Sequence, residues 1–165
     1  MEAMRSHFAQ TTATPILFNV PDDIRPITAE QTRPLRHAVL RPHQRAHELI
    51  YDGDGAPDTL HVGAFREGKL VGIASVYREP PPGEDDPSAW RLRGMAVTPA
   101  LQRTGIGRKL LAASVAHAKA NGGTRLWFNA RRSAVGFYEK LGYQVQGEEF
   151  ELHGIGPHIV MWRNL

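Results

Sequence analysis

Cysteine is absent from all 165 residues, and no apolar run approaches the roughly 20 residues that a membrane-spanning helix needs. Without cysteine there is no disulfide framework, thiolate nucleophile or zinc–thiolate site, which fits a reducing compartment. The first residues, Met1 to Ser6, lack the apolar core of a signal peptide. We therefore expect a soluble, cytoplasmic protein with no membrane partner.

The chain also carries little excess of charge. Its 20 Lys and Arg residues against 17 Asp and Glu give a formal net charge of +3. A basic nucleic-acid-binding domain is one alternative, but no recognition motif supports it, and we expect no nucleic-acid partner. With 41% hydrophobic residues, the chain suits one globular domain, which we assign to residues 21–165 and expect to be a monomer or a homodimer. Residues 1–20 are expected to form an extended or poorly ordered arm.

A glycine turn between a strand and a long helix lies at the centre of the sequence. Residues 90–97 are strand-like, Pro99 ends the strand, and residues 102–107 form the pattern Q-x-x-G-x-G. Gly105 and Gly107 leave N–H groups and the positive end of the helix dipole uncovered, which makes a cradle for a phosphate or diphosphate. The Rossmann and Walker patterns are both absent. Five arginines are expected to cluster around this cradle, at positions 103, 108, 125, 131 and 132.

The remaining chain indicates a mixed α/β domain. Thr28 can cap a first helix, and Gly68 supplies the turn of a hairpin. His117 falls on the apolar face of the long helix, where a hydrogen-bonded core histidine is expected. We predict no metal site, because His43 and His47 lack a third ligand. Six strands are predicted besides residues 90–97, over residues 22–28, 60–65, 70–77, 124–130, 150–152 and 158–162.

A second pattern, A-x-x-F-Y-x-x-x-G-Y, occupies residues 134–143. The two patterns in this order resemble those of the GNAT superfamily of N-acetyltransferases, over residues 22–165. The resemblance implies a central, mostly antiparallel sheet of six to seven strands, flanked by about four helices. It also implies that the two motif strands are splayed apart, and Gly94 suits a bulge in the first of them.

The resemblance further implies a reaction and a co-substrate. The reaction is transfer of an acetyl group from acetyl-CoA to a primary amine of a small molecule or peptide, by direct attack. Asn129 is expected to hydrogen-bond the pantetheine arm, or else to cap the end of its strand. The residues that the resemblance assigns to acetyl-CoA are Met95, Ala96, Val97, Gln102, Arg103, Thr104, Gly105, Ile106, Gly107, Arg108, Asn129, Phe137 and Lys140.

Tyr138 is the candidate general acid, because its phenol is protonated at neutral pH and can donate to the departing sulfur. A core tyrosine is the alternative. Many members of the superfamily carry a glutamate base at the position that Arg91 occupies here. His158 and Glu148 are the candidate substitutes for this base, and histidine is favoured because it changes its charge near neutral pH.

Arg91 and Arg93 alternate along one strand and therefore share a face. They could bind a carboxylate on the acceptor, or they could form a solvent-facing strand edge. The missing glutamate also leaves a second function open, a non-catalytic acyl-CoA sensor. Tight CoA binding without turnover would distinguish the sensor from the enzyme.

Overall fold

The computed structural model describes residues 21–165, and the predicted arm over residues 1–20 lies outside the described residues. Seven strands form one sheet: β1 (Asp23–Pro26), β2 (Leu60–Arg66), β3 (Lys69–Arg78), β4 (Ala89–Val97), β5 (Arg125–Arg131), β6 (Gln144–Leu152) and β7 (Gly156–Asn164). Their spatial order is β1-β2-β3-β4-β5-β7-β6. Only β4 and β5 run parallel; the other neighbours are antiparallel. The predicted mixed α/β architecture is confirmed.

Three α-helices accompany the sheet within residues 21–165: α1 (Ala29–Leu35), α2 (Ile106–Ala120) and α3 (Val135–Glu139). A π-helical turn, Arg36–Leu40, extends α1. Thr28 caps α1 as predicted, since its Oγ1 accepts a hydrogen bond from the Gln31 N–H at 3.2 Å. Single 3₁₀ turns lie at Ala46–Leu49, Pro99–Leu101 and Arg132–Ala134. None of these helices is long and apolar enough to span a lipid bilayer.

The helices cover the two faces of the sheet. Leu110 and Leu111 of α2 are buried in a cluster with Trp90, Leu92 and residues of β2, β3 and β5. This face therefore holds the main core, and burying each leucine side chain in it contributes about 1.5–3 kcal/mol to folding. Gly72 on β3 permits the close approach, because a Cβ there would lie 3.0 Å from Leu110 Cδ1. The Arg36–Leu40 turn packs on the other face.

The motif strands β4 and β5 are paired only at their beginnings. Their register joins Ala89–Arg91 to Arg125–Trp127 and then stops, so the strands diverge toward their carboxyl ends. On its other side β4 follows β3 through a bulge, where Gly94 adopts a φ of 65°. Both the predicted splay and the predicted bulge are present, and the gap between the strands positions the site described below.

Candidate functional site

The loop before α2 presents backbone N–H groups to solvent. Gly105 is the N-cap of α2, with a φ of 93°, a left-handed conformation that favours glycine. The Gln102 Nε2 donates a hydrogen bond to the Val97 carbonyl at 3.1 Å, and the Thr104 hydroxyl donates to the Leu101 carbonyl at 2.5 Å. These bonds hold the exposed loop against the end of β4, which leaves the first N–H groups of α2 able to bind an anion.

Three predicted coenzyme residues meet at the first turn of α2. A Cβ built on Gly107 would lie 3.8 Å from Phe137 Cζ and 3.9 Å from Met95 Cε. Phe137 is 40% exposed, which leaves part of its ring uncovered beside the cradle. Ile106 is buried in the core, as is Ala96, so each can offer a ligand only its backbone. The structure thus brings β4, α2 and α3 together around one glycine.

The other cations predicted for the cradle are distributed differently. Arg103 and Arg108 are exposed beside it, and Arg103 has a positive φ of 63°. Lys140 is exposed at the C-cap of α3. The expectation for Arg125 and Arg131 was wrong. Arg131 donates to the Leu40 carbonyl on the sheet face opposite α2, and Arg132 is exposed and pairs with Glu149 of β6. Arg125 begins β5, at the opposite end of the strand, and its guanidinium pairs with carboxylates of the loop between β3 and β4. It therefore supports the fold and takes no part in the cradle.

A cleft of about 480 Å³ opens where β4 and β5 diverge. It is lined by residues of β4, β5, β7, α3 and the segments that follow α1, among them Arg41, Tyr51, Arg93, Met95, Asn129, Arg131, Tyr138 and His158. The cleft therefore extends from the gap between β4 and β5 to the turns that follow α1. Tyr51 could not be predicted as a site residue, because nothing in its spacing shows that the segment after α1 folds back over β4.

Tyr138 faces this cleft from α3 and is 7% exposed. Its ring lies 4.2 Å from the Phe128 ring, centroid to centroid. Burial, with a smaller contribution from Tyr143, raises the pKa of the Tyr138 hydroxyl above its ordinary value. Among residues 21–165 no hydrogen bond occupies that hydroxyl. Tyr138 is therefore both a core tyrosine and a neutral donor at the cleft.

His158 reaches the cleft from β7 and is 3% exposed. Its Nδ1 lies 2.8 Å from the Gly156 carbonyl oxygen. Because a carbonyl only accepts, Nδ1 carries the hydrogen, and in the neutral ring Nε2 holds a free lone pair. Glu148 lies elsewhere: it is exposed, at the irregularity of β6, and outside the cleft lining.

Asn129 lies inside β5, where its register partner is Val160 on β7. The interpretation of Asn129 as a strand-end cap was therefore wrong, because two residues of β5 follow it. Its side chain is half-buried and lines the cleft, on the side of β5 that also carries Arg131. This placement leaves its amide available to a bound molecule.

Arg91 and Arg93 also line the cleft. Arg91 pairs with Glu79 at 3.0 Å, whereas the Arg93 guanidinium lies 4.1 Å from the centre of the Tyr51 ring. Both are half-buried on a strand with neighbours on each side, so the expectation of a solvent-facing edge was wrong. At the position where many members of the superfamily carry a glutamate, this chain therefore has an arginine whose charge is paired with Glu79.

A buried ion pair supports the floor of the cleft. Arg36 is fully buried and donates to both carboxylate oxygens of Asp54, at 2.7 and 3.0 Å. Its guanidinium also lies 4.0 Å from the centre of the Tyr51 ring, so that ring lies between Arg36 and Arg93. Burial alone would raise the pKa of Asp54, but hydrogen bonds from Arg36 and Tyr77 outweigh it and hold that pKa below its ordinary range. This pair could not be predicted from the sequence, since its members are 18 residues apart and share no motif.

The family model of the acetyltransferase (GNAT) domain matches residues 24–163. The chain belongs to the GNAT acetyltransferase family. This GNAT domain is 37% identical, over 143 residues, to the "Uncharacterized N-acetyltransferase YitI" of Bacillus subtilis (strain 168), a match that covers 87% of this chain and 96% of that protein. The resemblance drawn from the two sequence patterns is therefore confirmed.

Solved structures share the fold of this GNAT domain at low sequence identity. Escherichia coli ElaA superposes with a TM-score of 0.71 at 20% identity, covering 87% of this chain and 99% of that one. An aminoglycoside 6'-N-acetyltransferase complexed with coenzyme A superposes with a TM-score of 0.65 at 17% identity, covering 86% of this chain and 96% of that one. At such identities the likeness concerns the fold alone.

Proposed function

We propose that this GNAT domain transfers an acetyl group from acetyl-CoA to a primary amine. The observation that carries the proposal is the gap between β4 and β5. Beyond Arg91, β4 has no β5 partner, so its backbone groups on that side are left unpaired. An unpaired buried amide costs about 1–3 kcal/mol, and an extended arm that itself carries amides can pair with that edge. The pantetheine arm of CoA has this chemistry.

The cradle fits the other end of the same molecule. A Cβ on Gly105 would meet no atom within 4 Å, so the space outside the loop is open. The N–H groups of residues 105–107 and the positive end of the α2 dipole favour a diphosphate there. Arg103 and Arg108 are the side chains that would pair with its charge. A structural neighbour that shares this fold is complexed with coenzyme A, which supports coenzyme A as the ligand.

Two side chains of the cleft have the chemistry for the transfer. Bound acetyl-CoA would supply a thioester, whose C–S bond is exchanged for a C–N bond as an amide and a free thiol form. His158 Nε2 accepts the proton that the amine must lose. The Tyr138 hydroxyl donates a proton toward the departing sulfur, since its raised pKa keeps it protonated. No covalent relay is needed, so the amine attacks directly.

The test combines calorimetry with a thiol-release assay. The purified chain should bind acetyl-CoA and release thiol only when an amine acceptor is present. Tyr138→Phe should lower kcat by a factor of at least ~100, the usual contribution of a positioned acid, while CoA still binds. Tyr143→Phe is the matched control, because that neighbouring hydroxyl is buried outside the cleft lining. Equal rates in both variants would remove Tyr138 from the mechanism.

A non-catalytic acyl-CoA sensor is the second candidate. The observation that favours it is the pairing of Arg91 with Glu79, which leaves no carboxylate base at the position that many relatives use. Tight binding of acetyl-CoA with no thiol release, over a panel of primary amines, would establish the sensor in place of the enzyme.

A further inference from the structure

Three guanidiniums of the cleft converge on one region. Arg41 Nη1 and Arg131 Nη2 both donate to the Leu40 carbonyl oxygen, at 2.9 and 3.0 Å. Arg93 approaches from β4, where its guanidinium stacks on Tyr51. All three side chains are half-buried and line the cleft. They therefore face a common space.

Among the residues that the structure describes, none of these three cations has a carboxylate partner. Within residues 21–165, the ion pairs involve other arginines, a lysine and a histidine, and leave out Arg41, Arg93 and Arg131. Burial lowers the pKa of Arg41, and the charges of Arg131 and Arg93 lower it further. Like charges gathered in a partly desolvated cleft repel one another, and a bound anion relieves that repulsion.

The anion that belongs here is distinct from the diphosphate of the donor. Arg93 and Arg131 project from the sheet face that carries the turn after α1, whereas α2 and its cradle cover the opposite face. The acids of the same cleft are Glu48 and Asp52, both exposed. Glu48 is held by the Arg45 N–H at 2.6 Å. Neither neutralises the three arginines.

We propose that the amine acceptor carries a carboxylate, which Arg41, Arg93 and Arg131 bind while its amine faces His158 and Tyr138. Guanidiniums match a carboxylate through paired N–H donors, which fixes the orientation of the acceptor as well as its position. The cleft of about 480 Å³ also receives the reacting end of the donor, so the acceptor is a small amino acid or short peptide. This inference rests on the proposed acetyltransferase activity and adds the substrate class.

Matched acceptors test the inference at saturating acetyl-CoA. Small amino acids are compared with their amides, with an amine bearing a phosphate, and with the polyamine spermidine. The carboxylate form should show a kcat/KM at least ~10-fold above its amide, equivalent to about 1.4 kcal/mol. Arg93→Gln and Arg131→Gln should reduce that preference to near unity, mainly through KM. Arg132→Gln is the control, because that arginine is exposed outside this cleft and should keep the preference.

The remaining outcomes separate this inference from the proposed function. Equal or better turnover of the amide, the phosphate or spermidine overturns the carboxylate assignment while acetyl transfer stands. Heat of CoA binding without turnover of any amino carboxylate overturns it as well. Absence of CoA binding rejects the proposed function, and the inference falls with it. A preference that survives in both arginine variants assigns the carboxylate to other residues and also overturns the proposal.

Discussion

At the scale of single residues, the proposed transfer depends on two side chains of the cleft, His158 as the proton acceptor and Tyr138 as the proton donor. His158 is fixed in one tautomer by a backbone carbonyl, and Tyr138 is kept neutral by burial. They approach the gap from opposite sheet faces, because Tyr138 packs on Phe128 in the main core while His158 is the register partner of Arg131. A donor and an acceptor on two sides of a gap suit a transfer that moves a proton at each end of the reacting bond.

His158→Gln should lower kcat/KM by about 100-fold, because glutamine keeps a polar group in place but cannot take the proton of the amine. Steady-state kinetics with the best acceptor and calorimetry with CoA measure the two effects separately. His153→Gln is the matched control, since His153 is exposed in the turn after β6 and does not line the cleft. Unchanged kinetics in His158→Gln would transfer the role of base to water.

Asp54→Asn should lower the free energy of unfolding by about 3–5 kcal/mol at neutral pH, because it leaves the buried Arg36 charge uncompensated. Urea denaturation measures this loss. Asp85→Asn, at an exposed loop position, should change stability by less than about 0.5 kcal/mol.

The same carboxylate makes stability depend on pH. Its folded pKa is lowered, so its contribution is complete above the unfolded value of about 3.9 and is lost as pH falls through the lower folded value. Stability of the wild type should therefore decline below about pH 4, and Asp54→Asn should show a shallower decline. Parallel acid profiles for the two proteins would contradict this account.

At the scale of elements, one bulge in β4 connects the fold to the site. Gly94 takes a positive φ where β4 leaves its register with β3, and a Cβ there would lie 3.3 Å from Tyr51 Cε2 and 3.4 Å from Arg36 Nε. The bulge thus sits against the ring and the ion pair that form the floor of the cleft. A substitution at Gly94 should therefore alter both the separation of β4 from β5 and the floor of the cleft.

Gly94→Ala should destabilise the protein by about 1–2 kcal/mol through the left-handed backbone and should also weaken CoA binding by about tenfold. Gly83→Ala separates the two effects, because Gly83 has a φ of 82° with no atom within 4 Å of a Cβ. It should lose comparable stability and keep its CoA affinity, as judged by denaturation and calorimetry. Equal CoA affinity in both variants would show that the bulge does not shape the donor site.

At the scale of the whole molecule, sequence patterns predicted the features that are formed by residues close together in the chain. The glycine turn, the cap at Thr28 and the hairpin at Gly68 depend on neighbours in sequence, and each is present. The predicted hydrogen bond of His117 is also present, although its partner, the Asp58 carbonyl, is 59 residues away in the chain. The closing strands β6 and β7 run longer than predicted, because their pairing with each other and with β5 extends strands that alternation alone did not show.

What could not be predicted depends on contacts between distant segments. The Arg36–Asp54 pair and the return of Arg41 over β5 are set by the packing of the turns after α1 on the sheet, to which their local sequence gives no signal. Arg125 was misplaced for the opposite reason: it is close in sequence to the motif but lies at the far end of β5. Strand direction, rather than sequence distance, decides which arginines share a site.

Binding along both the gap and the cradle should stabilise the whole fold. At a CoA concentration of about 100 times Kd, the free energy of unfolding should rise by about 2.7 kcal/mol, because only the folded chain forms the site. For a chain of 165 residues this corresponds to a Tm higher by about 5–10 °C, measurable by calorimetric melting. Pantetheine, which lacks the diphosphate, should raise Tm less at equal concentration, since it engages only the gap. If both compounds shift Tm equally, the glycine loop before α2 contributes nothing to donor binding, and the assignment of residues 102–107 to the diphosphate is wrong.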